Sequence, residues 1–215
     1  MPNQRPKAMK SFAELQRSVT PMLGNEGERV PWTWFHRLLY TSGTTTALTF
    51  FNATGVPTTT NMEAAGQIPA PMYYDIYHIG IYFDLPASAV NAAGTLTVNT
   101  GALTDITNLS DGIARLTVAQ KLQFFSPIWQ LPSGCGASGA LAAAGTHTAE
   151  DYNIFQQGTL GVPDLRSRYN FWGDLTIPHN QSFVLNLDWV AAVTLQSGNA
   201  DIIAIMDGYL YRRVL

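Results

Sequence analysis

The stretch SFVLNLDWVAA runs from Ser182 to Ala192, and over its first seven residues a Phe or Leu occupies every second position. A β-strand has a side-chain period of two, so such a segment buries one face and leaves the other in water. The pattern predicts a half-buried strand. Its buried face comprises Phe183, Leu185, Leu187 and Trp189, and its outer face comprises Val184, Asn186 and Asp188.

Two further segments favour strands. In YYDIYHIGIYFD (73–84) we expect a core face formed by Tyr77, Ile79, Ile81 and Phe83, with Ile76, His78, Gly80, Tyr82 and Asp84 on the other side. The segment ADIIAIMDGYLYRRVL (200–215) predicts two strands joined at Asp207-Gly208, because Asp-Gly is a frequent two-residue hairpin turn.

The remaining chain supplies shorter strands and unequal loops. PWTWFHRLLY (31–40) fits an entry strand or a short helix, and TTTALTFFN (44–52) fits a strand. ARLTVAQKL (114–122) has partial helical spacing, while KLQFFSPIWQL (121–131) favours a strand with Pro127 at an edge or bulge. About eight strands without a βαβ pattern predict an all-β, antiparallel β-sandwich of jelly-roll type, with long loops at 53–71 and 132–148.

The first residues differ from the rest in charge. Residues 1–37 carry a net charge of +3 and residues 38–215 a net charge of −6, and no Lys or Arg occurs between Arg37 and Arg115. KSFAELQRSV (10–19) could form a short helix capped by Ser11. We therefore divide the chain into an N-terminal extended arm (1–37) and a jelly-roll domain (38–215). A charge excess this small favours only weak contact with nucleic acid.

The composition favours contact with other protein. Only 13% of the 215 residues are charged, about half the usual fraction for a soluble domain. The alternative is a β protein with an ordinary neutral polar surface. The single cysteine, Cys135, excludes an internal disulfide framework. We expect no signal peptide and no segment that spans a membrane.

No pattern in the sequence predicts a catalyst. The four histidines, His36, His78, His147 and His179, lack the paired spacing of a cupin-type metal site. GCGASGA (134–140) differs from the G-x-S-x-G nucleophile elbow and has no flanking helix. We therefore expect no enzyme, no metal and no cofactor. The five tryptophans could line a sugar-binding face, but in a sandwich such residues are more often core or interface anchors.

Four segments carry a resemblance to a known class of proteins. They are FFN (50–52), AGQIPAPMYYDIYHIGIYFD (65–84), LRSRYNFWGDLTIPHNQSFVLNLDW (165–189) and IIAIMDGYLYRRVL (202–215). In layout, residues 44–215 resemble bacteriophage virion structural proteins of the single jelly-roll capsid type. The resemblance implies a shell subunit whose arm reaches into the next copy, and it implies no catalytic residues.

The sequence thus predicts a bacteriophage capsid protein that self-assembles into an icosahedral shell and functions within the virion. Its expected partners are copies of itself and other virion proteins. The alternatives are a decoration, cement or tail protein, and a carbohydrate- or receptor-binding module. The predicted interface residues are Arg5, Lys7, Lys10, Phe12, Arg17, Trp32, Trp34, Tyr209, Tyr211, Arg212 and Arg213. The loops at 53–71 and 132–148 are further candidates for contact surfaces.

Overall fold

The computed structural model describes residues 27–85, 89–90, 96–97, 102–133 and 170–213. The secondary-structure elements in chain order are β1 (Gly27–Tyr40), β2 (Ala47–Phe50), β3 (Tyr73–Asp84), β4 (Ala89–Val90), β5 (Leu96–Thr97), α1 (Ala102–Ser110), β6 (Ile113–Val118), β7 (Lys121–Pro127), β8 (Asn170–Ile177), β9 (Phe183–Asp188) and β10 (Ala200–Arg213). A single 3-10 turn, Ile128–Gln130, follows β7.

The eight longer strands form two antiparallel sheets. Sheet A has the order β1-β10-β3-β8 and sheet B the order β2-β9-β6-β7. The pairing is nested: the first strand pairs with the last, the second with the next to last, and so inward to the β6–β7 hairpin. A long hairpin wrapped in this way is a jelly roll, so the predicted fold class is confirmed.

The core lies between the two sheets and is built by alternation within each strand. In β9 the side chains of Phe183, Leu185 and Leu187 are buried, while the intervening residues are partly exposed. Burial of each such side chain contributes about 1.5–3 kcal/mol. Trp189 continues the alternation and donates its indole N–H to the carbonyl of Leu109 in α1 at 2.8 Å. The segment Ser182–Ala192 therefore contains the predicted half-buried strand, β9.

The predicted core face of β3 is wrong at Tyr77. Ile76 pairs with Gly208 and His78 with Asp207, so Tyr77 is an extra residue with no counterpart in β10. This β-bulge reverses the side-chain parity. Ile79 and the alternate residues after it point inward as expected, but Ile76 before the bulge is buried and Tyr77 is 41% exposed.

The predicted hairpin at Asp207-Gly208 is also wrong. β10 runs unbroken through both residues and pairs with β1 on one side and β3 on the other. A Cβ atom added to Gly208 would overlap the carbonyl of Asp75 and the ring of Tyr74. The glycine is thus required by the close approach of β3 at the bulge, and it forms no turn.

The start of the sandwich and the position of its helix also differ from expectation. The proposed arm boundary at residue 37 falls inside β1, because residues 27–37 pair continuously with β10. The partial helical spacing of 114–122 is misleading, since these residues form β6 and the turn into β7. The described helix lies earlier, at Ala102–Ser110. Pro127 ends the edge strand β7, as predicted.

The loop at 53–71 covers the outer edge of β1. The backbone N–H of Arg37 donates to the carbonyl of Thr59 at 2.7 Å, and that of Phe35 donates to Asn61 Oδ1 at 2.9 Å. Edge strands are commonly protected in this way from pairing with other chains. Of the loop predicted at 132–148, only Pro132 and Ser133 lie within the described residues, and Pro132 forms an isolated parallel bridge with Ile81.

Candidate interaction surface

The antiparallel pairing of β1 with β10 brings the described part of the predicted interface to one corner of sheet A. Trp32 lies opposite Gly208, and Trp34 lies opposite Met206. The predicted arm residues Arg5, Lys7, Lys10, Phe12 and Arg17 lie outside the described residues.

Two of the predicted interface residues are interior residues. Trp34 is 1% exposed and packs edge-on against Tyr74, with ring centroids 6.2 Å apart. Tyr211 is 3% exposed and stacks on Tyr73, at 4.6 Å and an interplanar angle of 8°. Both side chains are already covered by their own chain, and this corrects the expectation that they lie on the surface. Trp32 is half-buried and packs against the core.

A tyrosine cluster lies at this corner and is formed by the buried Tyr73 and Tyr211 and the more exposed Tyr77 and Tyr209. The guanidinium of Arg29 lies 3.4 Å from the ring centroid of Tyr209. Such cation–π contacts stabilise by about 0.5–2 kcal/mol, depending on desolvation. Burial and the neighbouring Asp75 carboxylate raise the pKa of Tyr211 to about 12. Tyr211 therefore stays protonated at neutral pH.

Arg212 and Arg213 are the two basic residues at the end of β10, and the charge of Arg212 is partly neutralised. Arg212 donates from Nε to Glu28 Oε2 at 2.9 Å, and both side chains are nearly half exposed. Arg213 is held through backbone pairing with Gly27. Exposed pairs of this kind contribute little, about 0–1 kcal/mol.

An apolar surface that the sequence analysis missed lies on the edge of sheet B. Leu122 and Phe125 in β7 and Trp129 in the following turn are 59%, 60% and 55% exposed. We call these three residues the β7 patch. A register shift in the β6–β7 pairing leaves Gln123 unpaired, so Leu122 turns outward although Phe124 turns inward. The signal in the sequence is two adjacent phenylalanines in a strand that can bury only one of them.

The histidines that the structure describes have structural surroundings. His36 is buried and accepts a hydrogen bond at Nδ1 from the backbone N–H of Phe51 at 2.7 Å. His78 is fully buried, with Nδ1 3.0 Å from Asp207 Oδ2. His179 is exposed in the turn between β8 and β9, and His147 lies outside the described residues. Within the described ranges, no group of three or more His, Cys, Asp or Glu side chains could hold a metal ion.

No family model, curated protein or solved structure matches this chain. Among the described residues, no helix is long and apolar enough to cross a membrane.

Proposed function

We propose that this chain is a structural subunit of a bacteriophage particle that assembles with copies of itself into a closed icosahedral shell. The observation that carries the proposal is the β7 patch. It places three large apolar side chains, each more than half exposed, together at a sheet edge.

The β7 patch contrasts with the rest of the outer face of sheet B. There, Thr49 donates to Asn186 at 2.9 Å, and Arg115 pairs with Asp188 at 2.8 Å. These polar contacts are those of a solvated sheet face. Aromatic side chains are enriched at protein interfaces, and an exposed apolar edge is an aggregation hazard unless a partner covers it. The partner proposed here is a second copy.

Fold and composition support the same proposal. Jelly rolls are found in viral capsids, but also in lectins and cupins, so the fold permits the function without deciding it. The charged fraction of 13% suits a surface that contacts protein over much of its area. The resemblance in layout to single jelly-roll capsid proteins supplies the viral context and the location within the virion.

Two rival functions make distinct predictions. A decoration, cement or tail protein would sit on a shell built by another chain, so its copy number would follow that chain in purified particles. A carbohydrate-binding module would present exposed, coplanar rings. In the described part of the chain, the one near-parallel ring pair is Tyr73 with Tyr211, and both rings are buried.

The experiment that tests the proposal is removal of the apolar groups of the β7 patch. The double variant L122Q/F125S keeps the core intact, because both side chains are exposed. We expect it to remain folded and to stop sedimenting as particles. The matched control is L39Q, which changes an exposed leucine in β1 (56% exposed) and should leave assembly unchanged. Normal particles from the double variant would overturn the role of the patch.

A further inference from the structure

The structure contains a second surface, at the end of the sandwich where β1 and β9 finish. Two loops meet there: the β1–β2 loop, residues 41–46, and the β9–β10 loop, residues 189–199. We call these two loops the neutral end, because neither contains a charged residue. At the chain's overall frequency of 13%, the two loops would carry about two charged residues.

The two loops are held to each other by hydrogen bonds. The Ser42 hydroxyl accepts from the Leu195 N–H at 2.8 Å, and the Gly43 N–H donates to the Val193 carbonyl at 2.9 Å. The Tyr40 hydroxyl accepts from the Val193 N–H at 2.8 Å. The neutral end is thus preorganised, which lowers the entropy cost of binding through it.

Helix α1 holds the β9–β10 loop in place through hydrogen bonds to Asp105. Asp105 is fully buried, and its carboxylate accepts from the backbone N–H groups of Gln196 and Ser197 at 2.9 and 2.8 Å, as well as from the Ser197 hydroxyl. The nearest strand-end charges are also compensated within the chain, since Asp188 pairs with Arg115 and Asp201 pairs with Arg37. Asp111, exposed in the turn after α1, lies outside the two loops.

The outermost apolar group of the neutral end is Val190, whose side chain is fully exposed. Ala191, Thr44 and Thr46 are exposed as well. A rigid, small, uncharged surface with an apolar tip differs from an ordinary solvated loop, which would present charged residues to water.

We propose that the neutral end packs around a rotational symmetry axis against the same loops of neighbouring copies. At such an axis each residue approaches its own counterparts, so any charge there would face an identical charge. Like charges in contact oppose association strongly. A surface with no charge avoids that repulsion, whereas a contact with a different protein would permit complementary charges. The inference rests on the proposed function and specifies which surface meets itself.

The test is a charge-swap pair at Val190. V190D and V190K each place like charges around the axis, so we expect each variant alone to form at least tenfold fewer particles than wild type in sedimentation. Mixed in equal amounts, the two should form more particles than either variant alone, because opposite charges can then face each other around the axis. The controls are Q181D and Q181K, at an exposed glutamine in the turn between β8 and β9, away from the neutral end, which should assemble as wild type does.

The outcomes separate this inference from the proposed function. If V190D and V190K each assemble as well as the wild type does, the neutral end does not contact the same loops of neighbouring copies. The proposed shell function would still stand. If each variant fails and their mixture fails too, the loops meet a different surface and the inference is wrong. If the wild type itself remains a monomer, the proposed function fails. Circular dichroism of each variant establishes that the fold is retained, as expected for a fully exposed side chain.

Discussion

The Nδ1 atom of His36 accepts a hydrogen bond from the backbone N–H of Phe51, at a nitrogen–nitrogen distance of 2.7 Å. The contact joins the inner face of β1 to the chain just after β2, and it requires a neutral imidazole with an unprotonated Nδ1. Burial lowers the pKa of His36 below its ordinary value of 6.5. The folded state therefore resists protonation of this residue.

The first prediction concerns the pH dependence of stability. Just below pH 6.5 the unfolded chain binds a proton at residue 36 that the folded chain does not bind. The free energy of unfolding should therefore decrease as pH falls through this range, by at most about 1.4 kcal/mol per pH unit from this group. Urea titrations between pH 5 and 8 measure it. H36N should remove this part of the slope, with H179N as the control at an exposed histidine. An unchanged slope in H36N would contradict the assignment.

The second prediction concerns the buried pair at the bulge. Asp207 accepts from the Thr33 hydroxyl at 2.6 Å and lies 3.0 Å from His78 Nδ1. D207A leaves the fully buried His78 without its Nδ1 partner and removes the Thr33 hydrogen bond, so it should cost about 3 kcal/mol of unfolding free energy. The matched control D201A breaks the half-exposed pair with Arg37 and should cost under about 1 kcal/mol. If D207A and D201A lose the same unfolding free energy, burial does not make the Asp207 contacts more important for stability, and the prediction is wrong.

The third prediction concerns Gly208. An added methyl group would meet the Asp75 carbonyl and the Tyr74 ring. We expect G208A to destabilise the sandwich by about 1–3 kcal/mol, as overpacking of a well-packed site does. The denaturation midpoint measures the loss. A midpoint equal to that of the wild type would mean that β3 and β10 separate easily at the bulge.

The fourth prediction concerns the chain that precedes β1. Deletion of residues 1–26 leaves every described strand whole, so the truncated protein should unfold at the wild-type denaturant midpoint yet form no particles. Deletion of residues 1–30 should also lower stability, because it removes the Glu28–Arg212 pair and the Arg29 contact with Tyr209. Normal particles from the shorter deletion would refute the role of the arm in assembly.

The limits of prediction from the sequence lie where contacts between strands override the local pattern. The alternation of Phe183, Leu185 and Leu187 was sufficient, because β9 pairs without a bulge. The parity of β3 could not be predicted, since nothing near Tyr77 marks it as unpaired. Asp207-Gly208 has the composition of a turn, but Asp207 pairs with a buried histidine of another strand.

The same limit applies to the candidate surface. Trp34 and Tyr211 are aromatic residues typical of an interface, and only the packing of β1, β10 and β3 shows that they are buried. The β7 patch was missed because a bulge at Gln123 decides which of the neighbouring side chains turns outward. The neutral end depends on topology, which brings two loops more than 140 residues apart in sequence to one place.

The central claim is that this chain functions as an assembly subunit, and the mass of its native species tests that claim most directly. Light scattering with sedimentation of the purified full-length protein, at rising concentration and physiological salt, gives that mass. Closed particles of many copies, with masses far above the 23.5 kDa of one chain, are the predicted result. A stable monomer of 23.5 kDa at high concentration would contradict the account.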